Sequence, residues 1–252
     1  TAHKVVWTMR NEDMFLLRWG QPDFIRQFIQ AQKNRDYVGG VIVGSECYIP
    51  ALDYLTAPGP HKTWDYAFQR QWLFYSVWGR LLYDNATPDR VFEAQLESRF
   101  GRGRGADLLR AWKLASRVPL HFASFYQGRA DGTLYTEGHS TWRDNKERTF
   151  IDINQFIQHP VLDTKRYISI ADYVKAGCEA GEGRWSPPAL ADQLERDGAE
   201  ALRLVEKVRE SGDVSPTLDC ELTDIEAWCA YGAFFAEKLR GGTALALARA
   251  RH

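Results

Sequence analysis

Two short apolar runs near the start of the chain constrain its fold most strongly. Residues 5–9 are Val-Val-Trp-Thr-Met, and residues 38–43 are Val-Gly-Gly-Val-Ile-Val. Both runs are continuous rather than alternating, which is typical of parallel strands covered on both faces. Between them lies an amphipathic helical pattern with Pro22 in its first turn, a position that proline favours. The opening of the chain therefore predicts a β-α-β unit.

Charged residues follow each run at the point where the strand should end. Arg10, Glu12 and Asp13 follow the first run, and Glu46 follows the second. In parallel α/β folds the functional residues lie at the carboxyl ends of the strands. The sequence therefore predicts a site at this edge. Residues 47–64 have the length and the Pro- and Gly-rich composition of a functional loop.

Composition excludes some function classes. The chain has 252 residues, 44% of them hydrophobic and 26% charged, as is ordinary for a soluble globular protein. Its net charge of −1 argues against a nucleic-acid partner that binds through phosphate neutralisation. No apolar run reaches the length of a membrane span, so no membrane partner is expected. The compartment is not evident from the sequence.

Cysteine and histidine spacing predicts no metal site and no disulfide framework. The cysteines are interpreted as free thiols, and the central histidines as surface or hydrogen-bonding residues, because neither set has metal-ligand spacing. The cysteines are Cys47, Cys178, Cys220 and Cys229, and the histidines are His121, His139 and His159.

The rest of the chain is predicted to be largely helical. Residues 119–167 are expected to form mainly loops, with a short hairpin around Asp131-Gly132. The last two helices are the longest, and we expect them to pack as an antiparallel pair that could support a homodimer. The predicted helices span about 64–83, 89–100, 106–118, 169–178 and 186–209, with a final one after Ser215.

The predicted strands are too few for a complete parallel fold. A closed barrel needs eight β-α units in about 250 residues, whereas this chain shows two. We therefore expect either the last part of a longer protein or further strands from a partner. An alternative is a compact α+β domain whose other strands lie within residues 119–167. The expected domains are a barrel part with following helices (1–118), an irregular aromatic-rich connection (119–165) and a helical domain (166–252).

Three segments of the chain resemble the C-terminal part of the α-glucuronidases of glycoside hydrolase family 67. Residues 5–12 look like the family's late barrel strand ending in Gln-Glu, and residues 40–46 look like its last strand. The most specific match is residues 71–84, with Trp72 and the run Trp78-Gly79-Arg80-Leu81. The resemblance implies an α/β fold, with the last two β-α units of a TIM-type (β/α)8 barrel followed by a C-terminal α-helical domain.

The resemblance also implies an inverting glycoside hydrolase without a cofactor. Glu12 matches one of the two carboxylates that hold the attacking water in the family. A second alignment instead makes Asp13 and Glu46 that pair. Under the first alignment, the other carboxylate and the general acid precede Thr1, so activity of this chain alone is in question.

The expected partner is a carbohydrate that carries a uronic acid. Arg10 and Arg18 are candidates for binding its carboxylate, because an Arg fork binds carboxylates bidentately. Trp19, Tyr48 and Trp64 are candidates for stacking on sugar faces. Simpler interpretations also fit, because Arg10 and Glu12 can pair across a loop and the two tryptophans can serve as packing residues.

Two other functions are compatible with the sequence. A non-catalytic carbohydrate-binding or assembly module would keep the aromatic residues but would not need paired carboxylates. A polysaccharide lyase would release unsaturated products that absorb in the ultraviolet, which a hydrolase does not.

Overall fold

The chain forms two compact units. The computed structural model describes residues 3–9, 21–32, 35–43, 64–125, 140–143, 147–150 and 152–251. Unit 1 comprises Thr1–Ser116 and Ala201–Glu226, and unit 2 comprises Arg117–Glu200 and Ala227–His252. Most of the described residues are helical.

The predicted β-α-β unit is confirmed at the start of unit 1. Strand β1 (Val5–Met9), helix α1 (Pro22–Gln32) and strand β2 (Val38–Val43) follow one another along the chain. β1 and β2 pair in parallel, and the register ends with Met9 opposite Val43. The carboxyl ends of the two strands are therefore level with each other.

The strands of this sheet are more exposed than those of a typical parallel sheet. Val5, Val6 and Ile42 are 45%, 48% and 54% exposed. The sequence pattern predicts cover on both faces, because parallel sheets are normally buried on both sides. Among the described strands, β1 and β2 pair only with each other. The exposure of Val5, Val6 and Ile42 shows that the expected cover on both faces is incomplete.

The predicted helices of unit 1 are present, but the one predicted over 64–83 is divided at Gln71, and the one predicted over 106–118 ends at Ala115. They are α2 (Ala67–Arg70), α3 (Trp72–Tyr83), α4 (Asp89–Phe100) and α5 (Gly105–Ala115). The basic stretch between α4 and α5 is a turn, as its glycines indicate. Phe74, Phe92 and Trp112 are almost fully buried and form the centre of the helical core.

Unit 2 begins with a helix where loops are predicted. Its elements are α6 (Arg117–Phe125), β3 (Ser140–Arg143), β4 (Glu147–Phe150), α7 (Ile153–Gln158) and α8 (Ile170–Lys175). The prediction is wrong for α6 because Pro119 does not interrupt it. Pro119 lies in the first turn, where backbone N–H groups have no partner within the helix. Strands β3 and β4 form an antiparallel hairpin, whereas Asp131-Gly132, the predicted hairpin turn, lies outside the described residues.

Aromatic side chains fill the core of unit 2. The ring centroids of Phe122 and Phe235 lie 4.7 Å apart, and those of Phe125 and Phe235 lie 6.0 Å apart. Phe156 completes this cluster, with its centroid 6.1 Å from that of Phe235. Residues from α6, α7 and the last helix of the chain thus share one core.

The two longest helices contribute to both units. They are α9 (Pro187–Glu210) and α10 (Pro216–Ala250). In unit 1, Arg209 pairs with Asp219 at 2.6 Å, and in unit 2, Arg240 pairs with Asp192 at 2.8 Å. Residue numbers rise along α9 as they fall along α10, so the predicted antiparallel pairing is confirmed. None of the described helices has the length and apolar content that a membrane span requires.

Candidate functional site

The candidate site is the edge of the first sheet, where β1 and β2 end side by side. Because Met9 pairs with Val43, strands β1 and β2 end at the same level of the sheet. Glu12 follows Met9 by three residues, and Glu46 follows Val43 by three residues. The sheet thus brings together the carboxyl ends of β1 and β2, and the predicted acidic residues come shortly after these two ends in the sequence.

Most of the predicted site residues lie outside the described part of the chain, and their roles stay predictions. The residues concerned are Arg10, Glu12, Asp13, Arg18 and Trp19 after β1, and Glu46 and Tyr48 after β2. What the structure describes is how the residues that flank these two segments are held.

Trp64, the remaining predicted substrate-binding residue, is buried in unit 1. It is 7% exposed, and the Arg70 guanidinium lies 5.2 Å from the centroid of its ring. A guanidinium over an aromatic ring is a favourable cation–π contact, and it occupies one face of the ring. The position of Trp64 therefore favours a packing role.

Arg70 is held in turn by acidic residues near the start of α10. It donates hydrogen bonds to Glu221 and to the Cys220 carbonyl oxygen, both at 3.2 Å, and to Asp224. Arg70 and Glu221 are 3% and 2% exposed. A buried cation requires such partners, because an unpaired buried charge is strongly unfavourable. We therefore assign Glu221 and Asp224 to the structure of unit 1 and not to a catalytic centre.

The start of α1 is held against α5. Gln21 is 4% exposed, and its Nε2 donates to the Lys113 carbonyl oxygen at 3.3 Å. Its Oε1 accepts a hydrogen bond from the Asp23 backbone N–H at 3.1 Å. One buried side chain thus satisfies an N–H of the first turn of α1 and fixes that turn to a neighbouring helix.

Four alternating charges surround this turn, and we name them the α1 ion network: Asp23, Arg26, Asp89 and Lys113. Arg26 binds Asp23 at 3.1 Å and Asp89 at 2.7 Å, and it also donates to the Thr87 carbonyl oxygen at 2.7 Å. Lys113 binds the other oxygens of Asp23 and Asp89, at 2.7 Å and 2.9 Å. Each cation therefore bridges both carboxylates.

The network keeps its charges in spite of partial burial. Burial by itself would raise the pKa of Asp89, but hydrogen bonds from Lys113 and Arg26 hold that pKa below its usual value. Burial by itself would lower the pKa of Lys113, but hydrogen bonds to Asp23 and Asp89 raise it overall. Both groups are therefore charged at neutral pH.

A polar cluster around His121 lies in unit 2. His121 Nδ1 is 2.9 Å from the Tyr167 hydroxyl, and the Trp185 ring meets the imidazole edge-on at 6.3 Å. Burial lowers the pKa of His121 to about 4, although Asp197 acts in the opposite direction. Burial also raises the pKa of Tyr167 to about 12. Both side chains are therefore neutral at physiological pH, and the interpretation of His121 as a hydrogen-bonding residue is confirmed.

The described residues offer no obvious metal centre. No group of three or more of their His, Cys, Asp and Glu side chains is arranged to hold a metal ion. Cys178, Cys220 and Cys229 are free thiols, and burial raises the pKa of Cys220. Cys47 lies outside the described residues.

Comparison with known proteins gives a fold and no family. No family model and no curated protein matches the chain. A solved structure that does match is described as a GH138 enzyme targeting pectin rhamnogalacturonan II, with a TM-score of 0.63 and 16% sequence identity. The match covers 96% of this chain and 29% of that enzyme, so this chain spans less than a third of its length. The chain is therefore similar in fold to one part of a glycoside hydrolase.

Proposed function

We propose that this chain is part of a glycoside hydrolase, with its catalytic centre at the carboxyl ends of β1 and β2. The observation that carries the proposal is the parallel pairing of Met9 with Val43, since acidic residues follow both within four positions. Catalytic residues of parallel barrels project from such strand ends. The fold similarity to a glycoside hydrolase supports the same class of enzyme.

We further propose that β1 and β2 belong to the last two β-α units of a TIM-type (β/α)8 barrel. The exposure of Val5, Val6 and Ile42 supports this, because apolar strand residues in such a barrel are covered by helices outside and by side chains within. The resemblance of residues 5–12 and 40–46 to late barrel strands of family 67 supports the same arrangement.

The proposed chemistry is hydrolysis with inversion of configuration. Neighbouring strands lie about 4.8 Å apart, and an inverting enzyme holds its acid and base roughly 6.5–9.5 Å apart so that a water fits between them. Glu12 is proposed as one of the carboxylates that hold this water, with the general acid on another strand of the barrel. The pair Asp13 and Glu46 is the alternative, and it uses the same sheet edge.

The proposed substrate is an oligosaccharide that carries a uronic acid. Arg10 and Arg18 would bind its carboxylate as a bidentate fork, and Trp19 and Tyr48 would stack on sugar rings. Release of glucuronic acid is the reaction of the family that residues 71–84 resemble. The GH138 enzyme targets pectin rhamnogalacturonan II, so oligosaccharides from pectin are the second class of substrate to test.

The test is an activity assay on aldouronic oligosaccharides and on rhamnogalacturonan II oligosaccharides, with this chain beside a form extended upstream of Thr1. We expect the extended form to release a free uronic acid with inverted anomeric configuration, observed by NMR. Glu12→Gln should lower kcat by about 100-fold or more, because it removes a group that activates water.

Glu182→Gln, at an exposed carboxylate of unit 2, is the matched control and should keep full activity. Full activity of the Glu12→Gln variant would contradict the assigned role. Products that absorb in the ultraviolet would indicate a lyase instead. Binding of the oligosaccharides without cleavage by either form would indicate a carbohydrate-binding module.

A further inference from the structure

The turn between α4 and α5 carries positive charge that no described carboxylate neutralises. We name this surface the α4–α5 basic turn and define it by Arg99, Arg102 and Arg104. Among the residues that the structure describes, none of these three forms an ion pair with a carboxylate, whereas Arg70 and Arg209 each bind two. The charge of the turn is therefore available to an added anion.

The acidic residues that flank the basic turn are engaged with other groups. Glu97 Oε1 accepts a hydrogen bond from the Gly103 N–H at 3.1 Å. Asp107 pairs with Lys207 at 2.7 Å. Neither carboxylate therefore occupies the guanidinium groups that an added carboxylate would bind.

Arg104 orders the turn from within. It is 9% exposed, and its partners are Ser211 Oγ and the carbonyl oxygens of Phe100 and Asp213. These oxygens are neutral, so they hold the guanidinium without cancelling its charge. A buried charge is screened less than one in water, and it adds to the positive potential of the turn. The two exposed arginines are left to contact a ligand.

Arg99 is exposed, but its guanidinium is held on an aromatic surface. Its Cζ lies 4.8 Å from the ring centroid of Trp72 and 6.0 Å from that of Phe100. Such stacking uses the face of the guanidinium and leaves the donors at its edge free to bind a carboxylate. No described residue accepts a hydrogen bond from Arg99. The fork is thus partly ordered in advance, which reduces the entropy lost on binding.

We propose that the α4–α5 basic turn is a binding surface for the carboxylates of an acidic polysaccharide, with Arg99 and Arg102 as donors and separate from the residues proposed for catalysis. The choice of a polysaccharide rests on the proposed function, whereas the need for an anion rests on the charge of the turn. One exposed arginine binds a carboxylate weakly, but a polymer with a carboxylate on each sugar engages several arginines at once. Nucleic acid is the less favoured polyanion, because the whole chain has a net charge of −1.

Affinity electrophoresis of the whole chain tests the proposal, with polygalacturonate in the gel as the probe. Retardation by the polymer gives the dissociation constant. The double variant Arg99→Gln/Arg102→Gln should raise this constant at least about tenfold, because it removes both exposed donors. Fully methyl-esterified polygalacturonate has no free carboxylate and should not retard the wild type more than the double variant.

Arg80→Gln/Arg90→Gln is the matched control, because it removes the same charge from exposed positions of α3 and α4. Arg90 is nine residues from Arg99, roughly 13 Å along the helix axis, so the control should change the dissociation constant less than about twofold. Arg99→Lys keeps the charge but not the planar fork, and it should raise the constant about threefold or more. Circular dichroism checks that each variant is folded.

Equal affinity of the wild type and Arg99→Gln/Arg102→Gln for polygalacturonate would overturn the proposal. An equal loss of affinity in the control variant would also overturn it, since net charge alone would then decide binding. Equally tight binding of a single-stranded DNA oligonucleotide at the same ionic strength would do the same, because the turn would then accept any polyanion.

These results are distinguishable from those of the hydrolase assay. If the extended form releases no uronic acid while the chain binds polygalacturonate through Arg99 and Arg102, the proposed function fails and the binding surface stands. If uronic acid is released and the double variant binds polygalacturonate as well as the wild type does, the binding surface fails and the proposed function stands.

Discussion

At the scale of single residues, the buried arginines of unit 1 show how the fold uses a planar fork of donors. Arg104 is 9% exposed, and its partners are neutral oxygens: Ser211 Oγ at 2.8 Å and the carbonyl oxygens of Phe100 and Asp213 at 2.9 Å. Phe100 ends α4, where the helix dipole favours a positive charge. A lysine has no fixed fork and would not reproduce these bonds.

The burial of His121 predicts a pH dependence of stability. The pKa of His121 is about 4 in the folded chain, compared with about 6.5 in an unfolded one. Between these values the unfolded state binds more protons than the folded state. The contribution of neutral His121 to the free energy of unfolding is therefore fully present above about pH 6.5 and decreases as the pH falls toward 4. The full loss is about 3 kcal/mol. Urea unfolding at several pH values measures it.

His121→Gln should remove this part of the pH dependence, because glutamine does not titrate. His3→Gln, at an exposed position, is the control and should keep the wild-type profile. An unchanged profile in His121→Gln would assign the acid sensitivity to other groups.

The residues of the candidate site differ in how far the sequence reveals them. Glu12 and Glu46 are predictions from the sequence, made because a strand and the residues after it are recognisable in a short window, and they stay predictions. The ion pair between Arg26 and Asp89 cannot be predicted in this way, because these residues are 63 positions apart and meet only through packing of α1 on the later helices. The pair Asp23 and Arg26, three residues apart, is a local signal, but such pairs are common on helix surfaces.

At the scale of elements, helix ends are predictable where a side chain caps the backbone. Ser169 Oγ accepts a hydrogen bond from the Asp172 N–H at 3.1 Å, and Ser186 Oγ accepts one from Ala189 at 3.2 Å. Such caps act within four residues, so a sequence displays them. The start of α6 is not predictable in this way, because Pro119 is compatible both with the end of one helix and with the first turn of the next.

Close packing of α4 and α5 predicts a strict requirement for glycine at position 105. A Cβ at Gly105 would overlap the Glu93 carbonyl oxygen, which belongs to helix backbone and has little freedom to move, and it would lie 2.7 Å from Glu97 Cγ. Gly105→Ala should therefore lower the free energy of unfolding by about 1–3 kcal/mol, as overpacked positions do. Urea unfolding followed by circular dichroism measures this change.

Gly79→Ala is the matched control, because Gly79 lies on the exposed side of α3 and a Cβ there would meet no atom within 4 Å. Alanine at this position should raise stability by about 0.5–1 kcal/mol, since it is the better helix former. Equal effects of the two substitutions would contradict the close approach of α4 and α5.

At the scale of the whole molecule, the chain returns to unit 1 after building most of unit 2. Helix α9 leaves unit 2 after Glu200, and α10 enters it again at Ala227. The sequence predicts both helices and their pairing, but it does not reveal that each is divided between two units. A helical pattern records which face of a helix is buried and carries no information on which core buries it.

The shared helices predict that both units unfold together. Unfolding of one unit alone would interrupt α9 and α10 within their hydrogen-bonded runs, so partial unfolding is unfavourable. Urea transitions followed by circular dichroism and by tryptophan fluorescence should coincide.

Core truncations sharpen this test. Phe92→Ala in unit 1 and Phe235→Ala in unit 2 remove side chains that are 0% exposed, and each should lower stability by about 3–5 kcal/mol. Each should also shift the transition seen by both probes. Two separate transitions, or a shift of one probe only, would show that the units unfold independently.

The open parallel pair of β1 and β2 has a consequence for the behaviour of the chain in solution. Among the described strands these two have no further neighbour, and Val5, Val6 and Ile42 are about half exposed. The unpaired edge of a strand is a template for unwanted association with other chains, and proteins normally avoid this association by covering the edge. Solubility of this protein therefore depends on what shields the residues of these two strands.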